Sequence, residues 1–356
     1  MKTPNPQRAL RALYTGCGYL PFRVRKFEDY DLYAENKRFL QSHRVLTFTD
    51  TDGRLKALKP DVTLSIVKSS GGGELRKLFY QENVYREPRP GEGFCEIAQM
   101  GLECIGALTG FDVGEVLMLA GRSLDALAED WVLTVSHIGV VASVLEAAGF
   151  DEEQRRAAFA AVSRKNAPAL AALPDAQAAA LLQSLIRLYG PLDETVAQAQ
   201  ELPLPPASRA ALAELAALGD QLALYGLKRV ALDLAVVNDV DYYDDLVFRG
   251  FVAGVSSPVL SGGRYDRLLE RMGKPGGAIG FAVYLDRLEL APRPAAAFDG
   301  DVLLLFESES DLPLAIRTAE RLRQAGESVR AARTAPADLR YRRVLRVRNG
   351  EVREDA

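Results

Sequence analysis

The residues with the most chemistry to offer lie between Leu232 and Leu290, in LDLAVVNDVDYYDDLVFRGF and LSGGRYDRLLERMGKPGGAIGFAVYLDRL. Asp241, Tyr242 and Tyr243 stand between two runs of alternating β-branched and aromatic residues, and Tyr265 follows Gly262, Gly263 and Arg264. Two tyrosines and several carboxylates then line one floor, which offers hydrogen bonds and negative charge. The glycine pair marks a close backbone approach. Earlier, Gln99 and Glu103 are four apart in CEIAQMGLECI, a segment that reads as a strand, so both face the same side. Metal and phosphate chemistry have little support. Cys17, Cys95 and Cys104 are scattered, only His43 and His137 could join them, and no CxxC pair occurs. Gly71 to Gly73 lacks the Lys-Ser/Thr of a phosphate-binding loop.

These residues need elements to hold them. The alternating runs on either side of Tyr242 and Tyr243 predict two paired strands, and Ala278 to Leu290 starts as a strand and ends as a helix, with Asp286 and Arg287 at the join. Pro6 to Thr15 has helical spacing and stops at Gly16 and Gly18, while Phe22 to Phe27 alternates as a strand does. Val45 to Thr49 and Leu55 to Leu58 flank Asp50 to Gly53, a hairpin signature. Pro60 and Asp61 suit a helix start, and Leu78 to Arg86 reads as a strand. From Ala126 the pattern becomes helical, and Asp151 to Leu224 is rich in Ala and Leu with proline breaks. His137 falls on an apolar face there, which favours a hydrogen-bonded core histidine. A proline-stiffened linker at 291–294 leads to a strand over Asp301–Phe306, a helix over Leu312–Ala325, a strand over Ser328–Ala332 and a hairpin turning at Asn349 and Gly350.

A chain of 356 residues with 48% hydrophobic and 26% charged residues has the composition of a soluble globular protein of two or three domains. No signal-peptide core opens it and no run of about 18 apolar residues interrupts it, so the expected location is cytoplasmic, without a membrane. A formal net charge of −4 argues against nucleic acid as the dominant partner. From Arg317 to Arg353 there are eleven arginines against four acidic residues, and a solvated helix face with a charge-protected strand edge accounts for them.

The segments around Tyr242 and Tyr243, Gly262 to Asp266 and Gly280 to Leu288 resemble a histidyl-tRNA synthetase core, with its "RGLDYY", "GGGRYD" and "GFAxGxERL" segments. Phe22 to Leu40 resembles the first class II motif, which builds a dimer interface in that family, and Tyr85 to Gly106 the second. The resemblance implies an α+β fold: a class II synthetase-like antiparallel sheet flanked by helices, with an α-helical insertion and a short C-terminal α/β remnant. The core would span 1–125 and 225–292, the insertion 126–224, and the shortened C-terminal segment 300–356. Carried over residue by residue, the resemblance places Asp61, Thr63, Gln99 and Glu103 around the amino end of a bound histidine and Arg86 near its carboxylate. Tyr243 and Tyr265 would hold the ring, and Arg287 would remain from a nucleotide site.

The chain departs from the synthetase pattern where the adenylate forms. Asn238 and Asp239 stand where an arginine is expected, Tyr284 replaces a small glycine, and Asp244 and Asp245 add negative charge. A histidine pocket beside a failing nucleotide site resembles the regulatory subunits of ATP phosphoribosyltransferase. That resemblance implies no catalysis, no cofactor and no metal, L-histidine as ligand, a short-form phosphoribosyltransferase catalytic subunit as partner, self-association as a dimer, and feedback control of the first step of histidine biosynthesis. A histidyl-tRNA synthetase, or a synthetase-like paralogue of other function, is the alternative.

Overall fold

A computed structural model describes residues 5–40, 44–71, 73–87, 91–237, 242–289 and 298–355. They fall into two compact units, 1–291 and 292–356. His43, Asn238, Asp239, Asp241 and the 291–294 linker lie outside the described residues.

The first unit opens with helix α1 (Pro6–Gly16), which Asn5 caps by accepting from the Arg8 amide at 2.9 Å. Strand β1 (Leu20–Pro21) runs parallel to β5, and β2 (Phe27–Asp29) leads into α2 (Tyr30–Glu35). The expected hairpin is present as β3 (Thr47–Thr49) and β4 (Leu55–Leu58), and β2 adds to it as a third strand. Helix α3 (Thr63–Ser69) follows, with the Asp61 carboxylate accepting from the Leu64 amide at 2.9 Å. Strands β5 (Arg76–Arg86) and β6 (Cys95–Gly106) make a long antiparallel pair, and α4 (Gly110–Leu127) begins with a Thr109–Asp112 capping box.

Strand β7 (Trp131–His137) enters the main sheet, and α5 (Ile138–Ala147), α6 (Glu152–Ser163), α7 (Ala167–Ala171) and α8 (Ala176–Leu185) follow. Then come β8 (Tyr189–Pro191), α9 (Leu192–Gln200), α10 (Pro206–Leu224), β9 (Val230–Asp233), β10 (Leu246–Val252) and β11 (Leu260–Arg264). The unit closes with α11 (Asp266–Arg271), β12 (Gly277–Tyr284) and α12 (Leu285–Glu289). The main sheet has nine strands in the order β1-β5-β6-β12-β11-β10-β7-β9-β8.

Three expectations are corrected. The run after Tyr243 becomes β10, while of the run before Tyr242 only Leu232 and Asp233 belong to a strand, β9, with a turn after them; β7 lies between β9 and β10 and pairs with both. Residues 131–137 were expected to be helical, because WVLTVSH merges into the apolar helix that follows. Leu133, Val135, Thr134 and Ser136 are all buried, so the strand has two buried faces and lacks the alternation that marks a half-exposed one. Phe22 to Lys26 is extended without being a strand. Its amides go to isolated partners, Phe22 to the Phe79 carbonyl at 2.8 Å and Val24 to the Glu82 carboxylate at 3.1 Å, and no ladder forms.

The two faces of the sheet carry different chemistry. One register row runs Phe79, Leu102, Phe281, Gly262, Phe248 and Val135. On this apolar face the Tyr14 ring of α1 lies 6.0 Å from both Phe79 and Phe281, and its hydroxyl reaches Ser123 of α4 at 3.1 Å. The neighbouring row, Glu103, Gly280 and Gly263, points the other way, as do Gln99 and Tyr284. The aromatic face anchors the sheet so that the polar face can be left hollow.

In the second unit, β13 (Gly300–Phe306) pairs in parallel with β14 (Val329–Ala332) and β15 (Tyr341–Arg348), and β16 (Glu351–Asp355) is antiparallel to β15. Helix α13 (Leu312–Gln324) packs Ala315, Ala319 and Leu322 on Val302, Leu304, Leu345 and Val347. Asn349 and Gly350 both have positive φ, as a two-residue hairpin turn of this type requires. Many of the arginines are answered within the unit: Arg342 by Asp301 at 3.1 Å, Arg343 by Glu327 at 2.6 Å, and Arg346 by Asp355 at 2.9 Å and Glu307 at 3.0 Å.

Phe281 sits at the centre of the aromatic face and is 2% exposed. Phe281→Ala should therefore lower unfolding stability by about 3–5 kcal/mol, and Phe281→Leu by much less. Urea titration of both variants measures the difference, and equal losses would contradict the packing role.

Candidate functional site

The residues singled out from separate segments converge. Asp61, Thr63, Arg86, Gln99, Glu103, Tyr243 and Tyr265 all line one cavity on the polar face of the main sheet. Together they line a small cavity of about 30 Å³. Asp61 and Thr63 come from the start of α3, Arg86 from the end of β5, and Gln99 and Glu103 from alternate positions of β6. Tyr265 follows β11 directly, and Tyr243 lies just before β10.

Of the charge-bearing side chains Asp61, Arg86 and Glu103 in this cavity, Glu103 is the least exposed, at 2%. One carboxylate oxygen accepts from the Thr63 hydroxyl at 2.7 Å and the other from the Tyr265 hydroxyl at 2.5 Å. Glu103 therefore touches both Thr63, expected at the amino end of a ligand, and Tyr265, expected at its ring. It lies over Gly280 of β12, where a Cβ would run into its carboxylate and stand 2.4 Å from the Leu102 carbonyl. The close approach expected at the Gly262-Gly263 pair is also present. The Tyr243 ring lies on Gly263, and a Cβ there would be 2.5 Å from the ring.

Burial pushes the Glu103 carboxyl from 4.5 up to about 8; the Tyr265 and Thr63 hydrogen bonds oppose the shift, and Asp61 adds to it. Asp61 is raised as well, by burial first, with the Leu64 amide and Arg86 pulling it back. Burial also raises Tyr80, Tyr242 and Tyr265 well above 10, so they stay neutral.

Sequence reasoning missed Tyr80, Tyr242 and Ser261 as lining residues. The period-two pattern could have found two of them, since Tyr80, Gly101, Ala282 and Ser261 form one register row on the polar face. Tyr242 was passed over for its neighbour, yet its ring lies 4.7 Å from Tyr243 and 6.0 Å from Tyr265. Asp244 faces elsewhere. It accepts from the Arg267 amide at 2.8 Å and pairs with the Arg267 side chain at 3.0 Å, so its charge is spent on α11. His137 is a buried cap, its Nδ1 accepting from the Gly139 amide at 3.2 Å.

At the other end of the cavity the Tyr284 ring is held between two guanidiniums, Arg287 at 4.0 Å and Arg86 at 5.8 Å from its centroid. Arg287 does not line the cavity; it donates to the Pro258 carbonyl at 2.6 Å. Among the described residues no group of three His, Cys, Asp or Glu side chains could hold a metal ion, and no helix is long and apolar enough to cross a membrane.

A family model described as Histidyl-tRNA synthetase matches residues 3–288. An ATP phosphoribosyltransferase regulatory subunit from Acetivibrio thermocellus is 28% identical over 342 residues, covering 91% of this chain and 81% of that protein. A protein of the same description from Moorella thermoacetica is 30% identical over 339 residues, covering 91% of this chain and 86% of its own. The crystal structure of an ATP phosphoribosyltransferase regulatory subunit/histidyl-tRNA synthetase from Bacillus halodurans matches with a TM-score of 0.78 at 25% identity, covering 96% of this chain and 93% of that one.

The raised Glu103 carboxyl has a consequence for stability. A group whose pKa rises on folding stabilises the fold fully below its unfolded value, and that contribution is lost as pH rises through the folded one. Stability should therefore fall between pH 4.5 and about 8, by on the order of a few kcal/mol from this group. Glu103→Gln should remove most of that slope. Denaturant titrations of both proteins across this range measure it, and parallel curves would show that Glu103 is not the titrating group.

Proposed function

The chain belongs to the ATP phosphoribosyltransferase regulatory subunits, within the histidyl-tRNA synthetase-like proteins, and from that premise we propose a non-catalytic subunit that senses free histidine for a short-form phosphoribosyltransferase. The observation that carries this reading is the convergence of seven residues from separate segments on one buried cavity. Carboxyl groups, one guanidinium and tyrosines are the set that a zwitterion with a polar ring calls for.

Geometry supports one orientation. Gln99 pairs with Tyr284 in the sheet, and Arg86 lies against the Tyr284 ring. Glu103 is four residues further along β6, about 13 Å away along the strand. The ammonium and carboxylate of an α-amino acid share one carbon, so both belong at the Arg86 end, with Asp61 and Gln99 facing the ammonium. Glu103 then moves from the amino end to the ring end, beside Tyr265 and Tyr243.

The absence of aminoacylation is part of the proposal. It is supported by Tyr284, which stands where the synthetase pattern has a small glycine and whose ring is 3% exposed and lies against Arg86 and Arg287. In the assembled enzyme, histidine in this cavity would alter the partner's activity, and the partner would alter histidine affinity by the same factor. The chain would also self-associate.

Calorimetry should show one histidine bound per chain, with Glu103→Gln weakening it about ten- to a hundredfold. In the complex reconstituted with the phosphoribosyltransferase, the same substitution should move the histidine inhibition curve to higher concentration; superimposable curves would remove this cavity as the regulatory site. The purified chain should also give no histidine-dependent exchange of pyrophosphate into ATP, and measurable exchange would favour the synthetase reading.

A further inference from the structure

Glu103 is a buried acid without a buried base. Both its oxygens are held by hydroxyls, from Thr63 and Tyr265, and it has no ion pair among the described residues. The charged and titratable groups that face it can be taken element by element. The start of α3 brings Asp61, a second acid that raises the cost of a negative charge. From β5 come Tyr80, neutral by burial, and Arg86, the only cation lining the cavity among the described residues, which lies toward Tyr284. The segment before β10 brings Tyr242 and Tyr243, and the residue after β11 is Tyr265. Among the described residues, nothing beside Glu103 supplies the positive charge that a buried carboxylate needs. A hydroxyl can accept as well as donate, so either Thr63 or Tyr265 can accept a hydrogen bond from the protonated carboxyl once its own hydrogen rotates away, with no heavy atom moving.

Resting on the reading of this cavity as a histidine site, we propose that Glu103 carries a proton when the cavity is empty and hands that proton to the ligand's imidazole on binding. The O–H bond of the carboxyl breaks, an N–H bond forms on the ring, and the product is a buried carboxylate paired with an imidazolium. Where the empty site holds its proton and the free imidazole does not, no proton is exchanged with solvent. The cavity thereby selects for a side chain basic enough to accept the proton yet neutral in solution at the same pH, which among the amino acids describes histidine.

The proton count follows. Free imidazole titrates near 6.5, and the empty site's carboxyl titrates at about 8. Between these values the free partners hold one proton in total, and so does the complex, so affinity is flat with pH. Above about 8 the empty site has lost its proton and the complex must take one up, so affinity falls roughly tenfold per pH unit. Below about 6.5 both free partners are protonated and binding must release one.

Calorimetry with L-histidine in two buffers of different ionisation enthalpy reads this count on the full chain. The expected result is close to zero exchange at pH 7.3 and uptake of most of one proton at pH 8.7, with that uptake reduced in Glu103→Gln. Triazolylalanine, whose ring is too weakly basic to take the proton, should bind the wild type at least tenfold more weakly than histidine. Release of about one proton at pH 7.3 would show that Glu103 discharges to solvent and would overturn the proposal. Equal uptake at pH 8.7 in wild type and Glu103→Gln would overturn it as well. Absence of any histidine binding is a different failure, which removes the reading of the cavity on which this rests.

Discussion

The structure is arranged around the difficulty of keeping one carboxyl group, Glu103, away from water. A charge in so dry a place has to be neutralised, hydrogen-bonded or given up as a proton. Here two hydroxyls from distant parts of the chain meet it, Thr63 forty residues before and Tyr265 well over a hundred after. Each contact constrains an element: α3 must begin at Thr63, β11 must end where Tyr265 turns inward, and β12 must present Gly280 beneath the carboxyl. The cavity is thus a meeting point of strands and helix starts, and its polar lining draws on the same ladder that holds the sheet together.

That ladder divides labour by face. With a side-chain period of two, every strand that gives an aromatic residue to the face under α1 and α4 gives its next residue to the cavity side. Phe281 anchors and Gly280 makes room; Leu102 is core and Glu103 is site. A register slip of one residue in β12 would exchange these roles, so a single register error would abolish both core and cavity.

At the far end, the stack of Arg86, Tyr284 and Arg287 ties the cavity to a surface turn. Arg86 lines the cavity, Tyr284 lies between the two guanidiniums, and Arg287 reaches the Pro258 carbonyl in the turn between β10 and β11. Three packed side chains thus join a cavity-lining cation to a loop. The same packing fills the space beside the cavity with a phenol.

Much of this was legible in the chain itself. Gln99 and Glu103, four apart in a strand, had to share a face; Asn349 and Gly350 had to turn a hairpin; Asp61 had to sit at a helix start. These are local consequences of backbone geometry, which residue spacing carries in full. What spacing could not carry was which strands become neighbours. WVLTVSH looks like the helix it precedes because its burial on both faces, which makes it a central strand, exists only once β9 and β10 flank it. Phe22 to Lys26 alternates correctly but has no ladder to join. Asp244 counted as a charge against phosphate until folding turned it to Arg267. The state of Glu103 belongs to the same class: its residue type is written in the sequence, but the proton it holds is decided by solvent exclusion, and solvent is excluded only when distant segments close over it.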